Sequence, residues 1–206
     1  MKKIIKIKQD DFIAEGVYQK CYKHPDNDNL CIKISKQDIE DTRLSYEINY
    51  WRKISRKKIK KNDYQFFSKY RGTLETNLGT GYVFDLIKNE TNNETSKTLE
   101  YYLLNKTDEI SNEMLKSGFK RLIRLMTKYK VVANDIRAKN ICCKILKNNS
   151  IQLIHIDGVG HRDFIPLVDW LSCMAKKKIE RRLIKFKLDD LDKHRNHLKE
   201  LYSNTN

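Results

Sequence analysis

Lysine and isoleucine alternate over residues 2–8, a period of two that predicts a β-strand. A short apolar run, Phe12-Ile13-Ala14, then leads into Glu15-Gly16. Residues 18–24 and 30–34 flank Pro25-Asp26-Asn27-Asp28-Asn29, a cluster of turn formers, and so predict a β-hairpin. From Asp38 to about Lys61 the pattern turns helical, with Ile39, Leu44, Ile48, Trp51 and Ile54 three to five positions apart. Residues 66–74 and 80–88 predict a second strand pair, joined across Glu75-Thr76-Asn77-Leu78-Gly79. Segments 97–105 and 111–130 predict helices, the second with Leu115, Phe119, Leu122, Ile123 and Met126 on one face. Residues 140–147 and 151–156 form a third strand pair around Lys147-Asn148-Asn149-Ser150, and a basic helical region closes the chain. A sheet-rich first part followed by a helical second part predicts an α+β fold of two lobes.

Composition narrows this picture in three ways. At 206 residues the chain has room for one domain, or for two small lobes sharing a cleft. A formal charge of +15 implies attraction to phosphate-rich partners: nucleotides, nucleic acid, anionic saccharides or a membrane surface. No apolar run approaches the roughly 20 residues that span a bilayer, and the N-terminus lacks a signal-peptide core. The five cysteines, 21, 31, 142, 143 and 173, include no CxxC pair. We expect reduced thiols, no structural zinc and a cytoplasmic protein.

Five positions carry candidate chemistry. Lys33 lies inside the apolar strand Leu30-Cys31-Ile32-Lys33-Ile34. There it either points to water from a sheet edge, or meets opposite charge as the kinase lysine that pairs with α/β-phosphates and a helix glutamate. Glu47, four residues before Trp51, is the candidate glutamate, with Glu40 as its rival; either can equally be a solvated helix residue. Gly16 follows the first strand as a plain turn or as a residue allowing close backbone approach to phosphate, although the full GxGxxG is missing. In Asn134-Asp135-Ile136-Arg137-Ala138-Lys139-Asn140, the Asp and the Asn five residues later have the spacing of a kinase catalytic loop. Turn residues can produce the same spacing. Asp157-Gly158 ends an apolar strand, which suits either a hairpin turn or a metal-binding carboxylate. The agreement of all five in kinase order carries more than any one of them.

A family resemblance follows from longer strings. Lys20-Cys21-Tyr22-Lys23-His24-Pro25, Cys31-Ile32-Lys33-Ile34, Gly72-Thr73-Leu74-Glu75-Thr76 and Leu78-Gly79-Thr80-Gly81-Tyr82-Val83-Phe84-Asp85-Leu86-Ile87 resemble the YrbL family, the PhoP regulatory network proteins. Ser96-Lys97-Thr98-Leu99, Asn140-Ile141-Cys142 and Ile165-Pro166-Leu167 extend the resemblance to residue 167. It implies a protein-kinase-like fold. The chain departs from ordinary kinases where Ala133-Asn134 replaces His-Arg and where Asp-Gly-Val-Gly replaces DFG. No Ala-Pro-Glu follows, and about eight residues separate Asp157 from Ile165-Pro166, too few for a peptide-docking activation segment.

The expectation is therefore a minimal two-lobe kinase-like fold, residues 1–87 forming the sheet lobe and 88–206 the helical lobe. Its activity would be ATP- and Mg²⁺-dependent phosphoryl transfer to a small or saccharide-type anionic acceptor rather than to proteins. Gly16, Lys33 and Glu47 would hold the nucleotide phosphates, backbone near Asp85, Leu86 and Ile87 the adenine, and Asn140 and Asp157 the metal. Asp135 would orient the acceptor hydroxyl and Arg137 neutralise the γ-phosphate. Two other readings compete: a non-catalytic regulatory module that binds through the same residues, and a basic nucleic-acid-binding domain. The basic runs 52–61 and 176–182 read as solvated faces, or as contacts to an anionic membrane surface or saccharide; RNA-binding aromatic patterns are missing.

Overall fold

A computed structural model describes residues 4–36, 41–60, 63, 65–105, 109–133, 135–158 and 191–203; of residues 41–47, 191–194, 201 and 202 it describes the backbone alone. The described residues are mixed α+β and divide into two compact units, Met1–Arg56 with Ser68–Lys88, and Lys57–Phe67 with Asn89–Asn206. The second basic run, Cys173 and Ile165-Pro166 lie outside the described residues.

The first unit holds strands β1 (Ile4–Ile5), β2 (Phe12–Glu15), β3 (Gln19–His24), β4 (Asn27–Ser35), β5 (Tyr70–Thr76) and β6 (Gly79–Asp85), with helix α1 (Asp41–Ser55) between β4 and β5. Sheet order is β1-β5-β6-β4-β3-β2, antiparallel throughout except for β1 beside β5. Alternation along β4 gives each sheet face a core. Ile32 and Ile34 join Ile5, Ile7 and Tyr22 on one side. Cys31 faces the other way with its cross-strand partner Phe84, against which the Trp51 ring of α1 packs edge-on at 5.2 Å.

Three boundaries differ from the sequence pattern, each for a physical reason. The strand expected over 2–8 pairs only at Ile4–Ile5, because its neighbour β5 ends at Thr76 where the chain reverses. Beyond that point the Asn77 side chain takes over as partner, its Oδ1 accepting from the Ile7 amide at 2.7 Å and its Nδ2 donating to the Ile7 carbonyl at 3.2 Å. The β5–β6 turn is Asn77–Leu78, with Gly79 at φ +105°, and Phe66 and Phe67 are not part of β5. Those two rings are fully buried, and Phe67 bridges to His155 in the second unit instead. Helix α1 stops at Ser55; continued, it would set Arg56 and Lys57 one turn beyond Arg52 and Lys53, like charges at i, i+4 spacing.

Gly81 sits over the β4 core. A Cβ there would stand 2.5 Å from the Ile32 side chain and 3.2 Å from that of Thr76. Ile32 is fully buried and cannot retreat into water. Gly81→Ala is therefore expected to lower unfolding stability by about 1–3 kcal/mol, read by urea titration. A midpoint equal to the parent's would show that this sheet face packs more loosely than described.

The second unit contains α2 (Leu99–Leu104), α3 (Asn112–Lys128), the hairpin β7 (Ile141–Ile145) and β8 (Ile151–His155), and helix α4 (Leu191–Ser203). Hydroxyl caps start α2 and α3: Thr98 accepts from the Tyr101 amide and Ser111 from the Met114 amide. Leu115, Phe119, Leu122, Leu125 and Met126 form the buried stripe of α3. Gly118 on the same stripe lets the helix approach Leu153 and Ile151 of β8. From α4, buried Arg195 donates to the Leu103 carbonyl at the end of α2 (3.1 Å) and to Asn112 Oδ1 (2.6 Å). A cation is favourable at that helix terminus.

Cys21, Cys31, Cys142 and Cys143 are free thiols. Burial pushes the Cys143 thiol well up, so it stays protonated and chemically inert. Among the described residues, no helix is long and apolar enough to cross a membrane.

Candidate functional site

In the first unit, Lys33 occupies an interior strand, not an edge. Its backbone lies between Cys21 of β3 and Tyr82 of β6, and its side chain is buried at 8% exposure. The Nζ stands 4.9 Å from the Phe84 ring centroid, an attraction that offsets part of the cost of taking an ammonium out of water. Glu47 lies on α1 one turn before Trp51, the residue that packs against Phe84. Its rival Glu40 lies outside the described residues. Gly16 closes the β2–β3 turn by donating to the Gln19 carbonyl at 2.8 Å. A Cβ there would meet only that carbonyl, at an ordinary 3.5 Å. Beside the turn, Glu15 is ion-paired with Lys36, which holds the Glu15 carboxyl below its ordinary range.

The end of β6 is already engaged in hydrogen bonds within its own unit. The Asp85 amide donates to the Lys69 carbonyl (3.0 Å), and the Leu86 amide to the Asn29 carbonyl (2.8 Å). The Asp85 carbonyl accepts from Ser68 Oγ (2.8 Å) and its carboxylate from Arg71 Nε (2.5 Å). Ile87 is buried.

The second unit brings two of the singled-out segments together, the Asp135–Asn140 loop and Asp157-Gly158. Buried Val131 and Val132 anchor the chain after α3, the Val131 amide donating to the Met126 carbonyl. The loop then runs through Asp135 to a single 3-10 turn, Ala138–Asn140, that leads into β7. Buried Asn140 is fastened on both sides. Its Nδ2 donates to the Asp135 carbonyl at 3.2 Å, and its own carbonyl accepts from the Ile156 amide at 2.9 Å. The Asp135 amide donates in turn to the Gly158 carbonyl at 3.2 Å. Asp157, half-buried, is thus flanked on either side by residues bonded to this loop. Gly158 makes the approach possible: its φ is +69°, and a Cβ there would come 2.7 Å from the Asp135 Cβ and 3.3 Å from Asn140 Nδ2.

Arg137 holds the Asp135 carboxylate by both oxygens, Nε to Oδ1 at 2.6 Å and Nη2 to Oδ2. That hydrogen-bonded carboxylate raises the guanidinium further above its ordinary range, and the charges of Glu100 and Asp157 add to the effect. The sequence reading assigned Arg137 to phosphate alone and missed this pair. Its only signal is the Asp-x-Arg spacing inside a loop that cannot be helical. The steric demand at Gly158 was equally invisible, since it depends on two segments separated by the whole β7–β8 hairpin.

Asn140 and Asp157 offer hard oxygen donors, an amide carbonyl and a carboxylate. Mg²⁺ takes one or two carboxylates and completes its shell with water and phosphate oxygens, so the donor set fits that ion. Among the described residues, no group of three or more His, Cys, Asp or Glu could by itself form a metal cage.

The family model described as PhoP regulatory network protein YrbL matches residues 5–189 of this chain. The YrbL protein of Escherichia coli strain K12 is 28% identical over 180 residues, covering 86% of this chain and 84% of that protein. YrbL of Shigella flexneri is also 28% identical over 180 residues. Every residue discussed in this section lies inside the family match, whereas α4 lies beyond it.

Proposed function

The chain belongs to the family of the PhoP regulatory network protein YrbL, and from that membership and the loop geometry we propose that it is a cytoplasmic, kinase-like phosphotransferase. It uses Mg·ATP to phosphorylate a small or saccharide-type anionic acceptor. The observation that carries the reading is the fastening of Asp135, Asn140 and Asp157-Gly158 by the Asp135–Gly158, Asn140–Asp135 and Ile156–Asn140 hydrogen bonds. The sheet supports it as well. Strands β2 to β6 are all antiparallel, the third of them carries a buried lysine, and a helix bearing Glu47 comes next, which is the kinase arrangement of lysine and glutamate.

Each side chain has a task in this reading. Lys33 would hold the α- and β-phosphates, with Gly16 at the adjacent turn and Glu47 as counter-charge. Adenine would meet backbone at Ile87, since the Asp85 and Leu86 amides are already engaged. Asn140 and Asp157 would ligate Mg²⁺, which when bound neutralises phosphate charge. Asp135 would orient the acceptor hydroxyl and receive its proton. Arg137 has five N–H groups, of which the Asp135 pair uses two, so others remain for a γ-phosphoryl oxygen. The few residues between Asp157 and Ile165-Pro166, together with the +15 charge, favour a small anion over a protein as acceptor.

One observation favours a second reading, a non-catalytic nucleotide-binding module of the PhoP network. Arg137 engages both oxygens of Asp135, so an acceptor hydroxyl must compete with the guanidinium for them. Both readings require nucleotide binding. Mg·ATP at about 100 times its Kd should stabilise the fold by about 2.7 kcal/mol, or roughly 5–10 °C in melting temperature. Lys33→Ala should largely remove that shift. No shift in the parent protein at millimolar Mg·ATP would end both readings.

A further inference from the structure

On α3, Lys116, Lys120, Arg124 and Lys128 stand four residues apart along one row of the helix, all exposed, with exposed Arg121 beside them. Like charges at this spacing weaken a helix, so the row is an arrangement that folding alone does not favour. No acidic residue occurs on α3 after Glu113, whose carboxyl is held down by hydrogen bonds from its own backbone amide and from Ser111 at the cap, with the Lys116 charge adding to them. At the far end Lys128 is paired with Asp63, which also accepts from the Tyr129 hydroxyl. Hydrogen bonds from Lys128 and Tyr129 hold the Asp63 carboxyl down, and the charge of Arg124 adds to them. Lys120, Arg121 and Arg124 line a shallow depression of ≈ 320 Å³ by themselves. The stripe also continues past the helix. The Lys60 amide donates to the Tyr129 hydroxyl at 2.8 Å, which fixes exposed Lys58 and Lys60 at the C-terminal end of α3.

We propose that this cationic ridge of the second unit is a docking surface for an anionic lipid bilayer. Charge complementarity calls for a polyanion, and the form of the ridge selects the bilayer. It runs about 18 Å along a convex helix, whereas single-stranded nucleic acid is tracked by grooves lined with aromatic stacking platforms. The only aromatic residue of α3 is Phe119, and it is buried. A duplex would be met through its phosphates and through Arg or Lys at guanine, without the Asn or Gln that reads adenine, since the exposed positions of α3 after Glu113 offer only Lys, Arg and Ser117. Insertion of α3 itself into lipid is excluded, since its apolar stripe is already packed within its own unit. Attachment is therefore electrostatic and reversible, and it places the protein beside anionic saccharide or lipid headgroups.

Sedimentation with vesicles of phosphatidylcholine plus phosphatidylglycerol, against phosphatidylcholine alone, tests this. Binding should require the anionic lipid and vanish near 1 M salt, where the Debye length is about 3 Å. Each basic residue near such a surface is worth about fivefold in partition, so Lys120→Gln/Arg121→Gln/Arg124→Gln together should weaken it by about 100-fold. The triple variant should melt no lower than the parent, because it relieves repulsion on α3. Neutralising exposed Lys6, Lys23 and Lys147 removes the same net charge and should cost far less. An equal loss in that control would assign binding to net charge and overturn the ridge. Random duplex DNA bound in preference to the vesicles, and lost in the α3 variant, would overturn the bilayer as partner.

Discussion

Asp135→Asn is expected to leave Mg·ATP affinity within a few-fold while cutting phosphoryl transfer by roughly 10²-fold or more, the usual worth of a positioned general base. The substitution keeps the size of the side chain and one acceptor oxygen, so the backbone bonds to Gly158 and Asn140 survive. It removes the charge that holds Arg137 bidentately and that, in the proposed role, would orient the acceptor hydroxyl. The pair is half exposed on the arginine side, so breaking it should cost well under about 1 kcal/mol of stability. Loss of activity would then not be loss of fold. Asp157→Asn should behave differently, since it removes the carboxylate proposed to bind the metal: the Mg²⁺-dependent part of ATP binding should fall with it. If both variants retain parental turnover on the acceptor, the assigned roles are wrong. If the parent binds ATP but transfers phosphate to no component of a cell extract, the regulatory module replaces the enzyme.

Much of the fold was legible because its signals are local. The β3–β4 turn formers, the stripe of α3 and the β7–β8 hairpin all lie within a few residues of the predicted bounds. Failures came where a distant partner decides. Lysine and isoleucine alternate past residue 5, yet pairing stops there because β5 turns away and Asn77 substitutes for it. Phe66 and Phe67 look like strand residues, but the second unit buries them. The same division holds at the site. Spacing and strand ends single out Asp135, Asn140 and Asp157, whereas the hydrogen bonds that fasten their segments together come from the fold. Lys33 was readable as a charge in an apolar strand, but an edge strand and an interior one cannot be told apart until the sheet order is known. The packing demand at Gly158 arises only when separate segments meet, and the Arg137 clamp depends on a loop conformation that the Asp-x-Arg spacing does not specify.

That demand at Gly158 yields the sharpest structural test. Two penalties fall on Gly158→Ala together. An L-residue at φ +69° costs roughly 1–2 kcal/mol. The new methyl would also lie 2.7 Å from the Asp135 Cβ and 3.1 Å from the Asp135 carbonyl oxygen, atoms of or next to the backbone that no side-chain rotation can clear. Relieving the overlap means separating the two segments, at about 1–3 kcal/mol for overpacking. The sum, about 2–5 kcal/mol, should appear as a large fall in melting temperature. Separation also stretches the Asp135–Gly158 hydrogen bond and moves Asp157 away from Asn140, so transfer should drop by about 10²-fold even at temperatures where the variant is folded. Gly16→Ala is the matched control, because its methyl meets one carbonyl at an ordinary 3.5 Å and its backbone is not left-handed. Combining Gly158→Ala with Asp135→Asn should be less than additive, since both disturb the same hydrogen-bonded unit of residues 135–140 and 156–158. A Gly158→Ala protein with parental stability would mean that residues 135–140 and 156–158 are not held together as described. Parental stability with lost transfer would leave strain out and point to Asp157 alone.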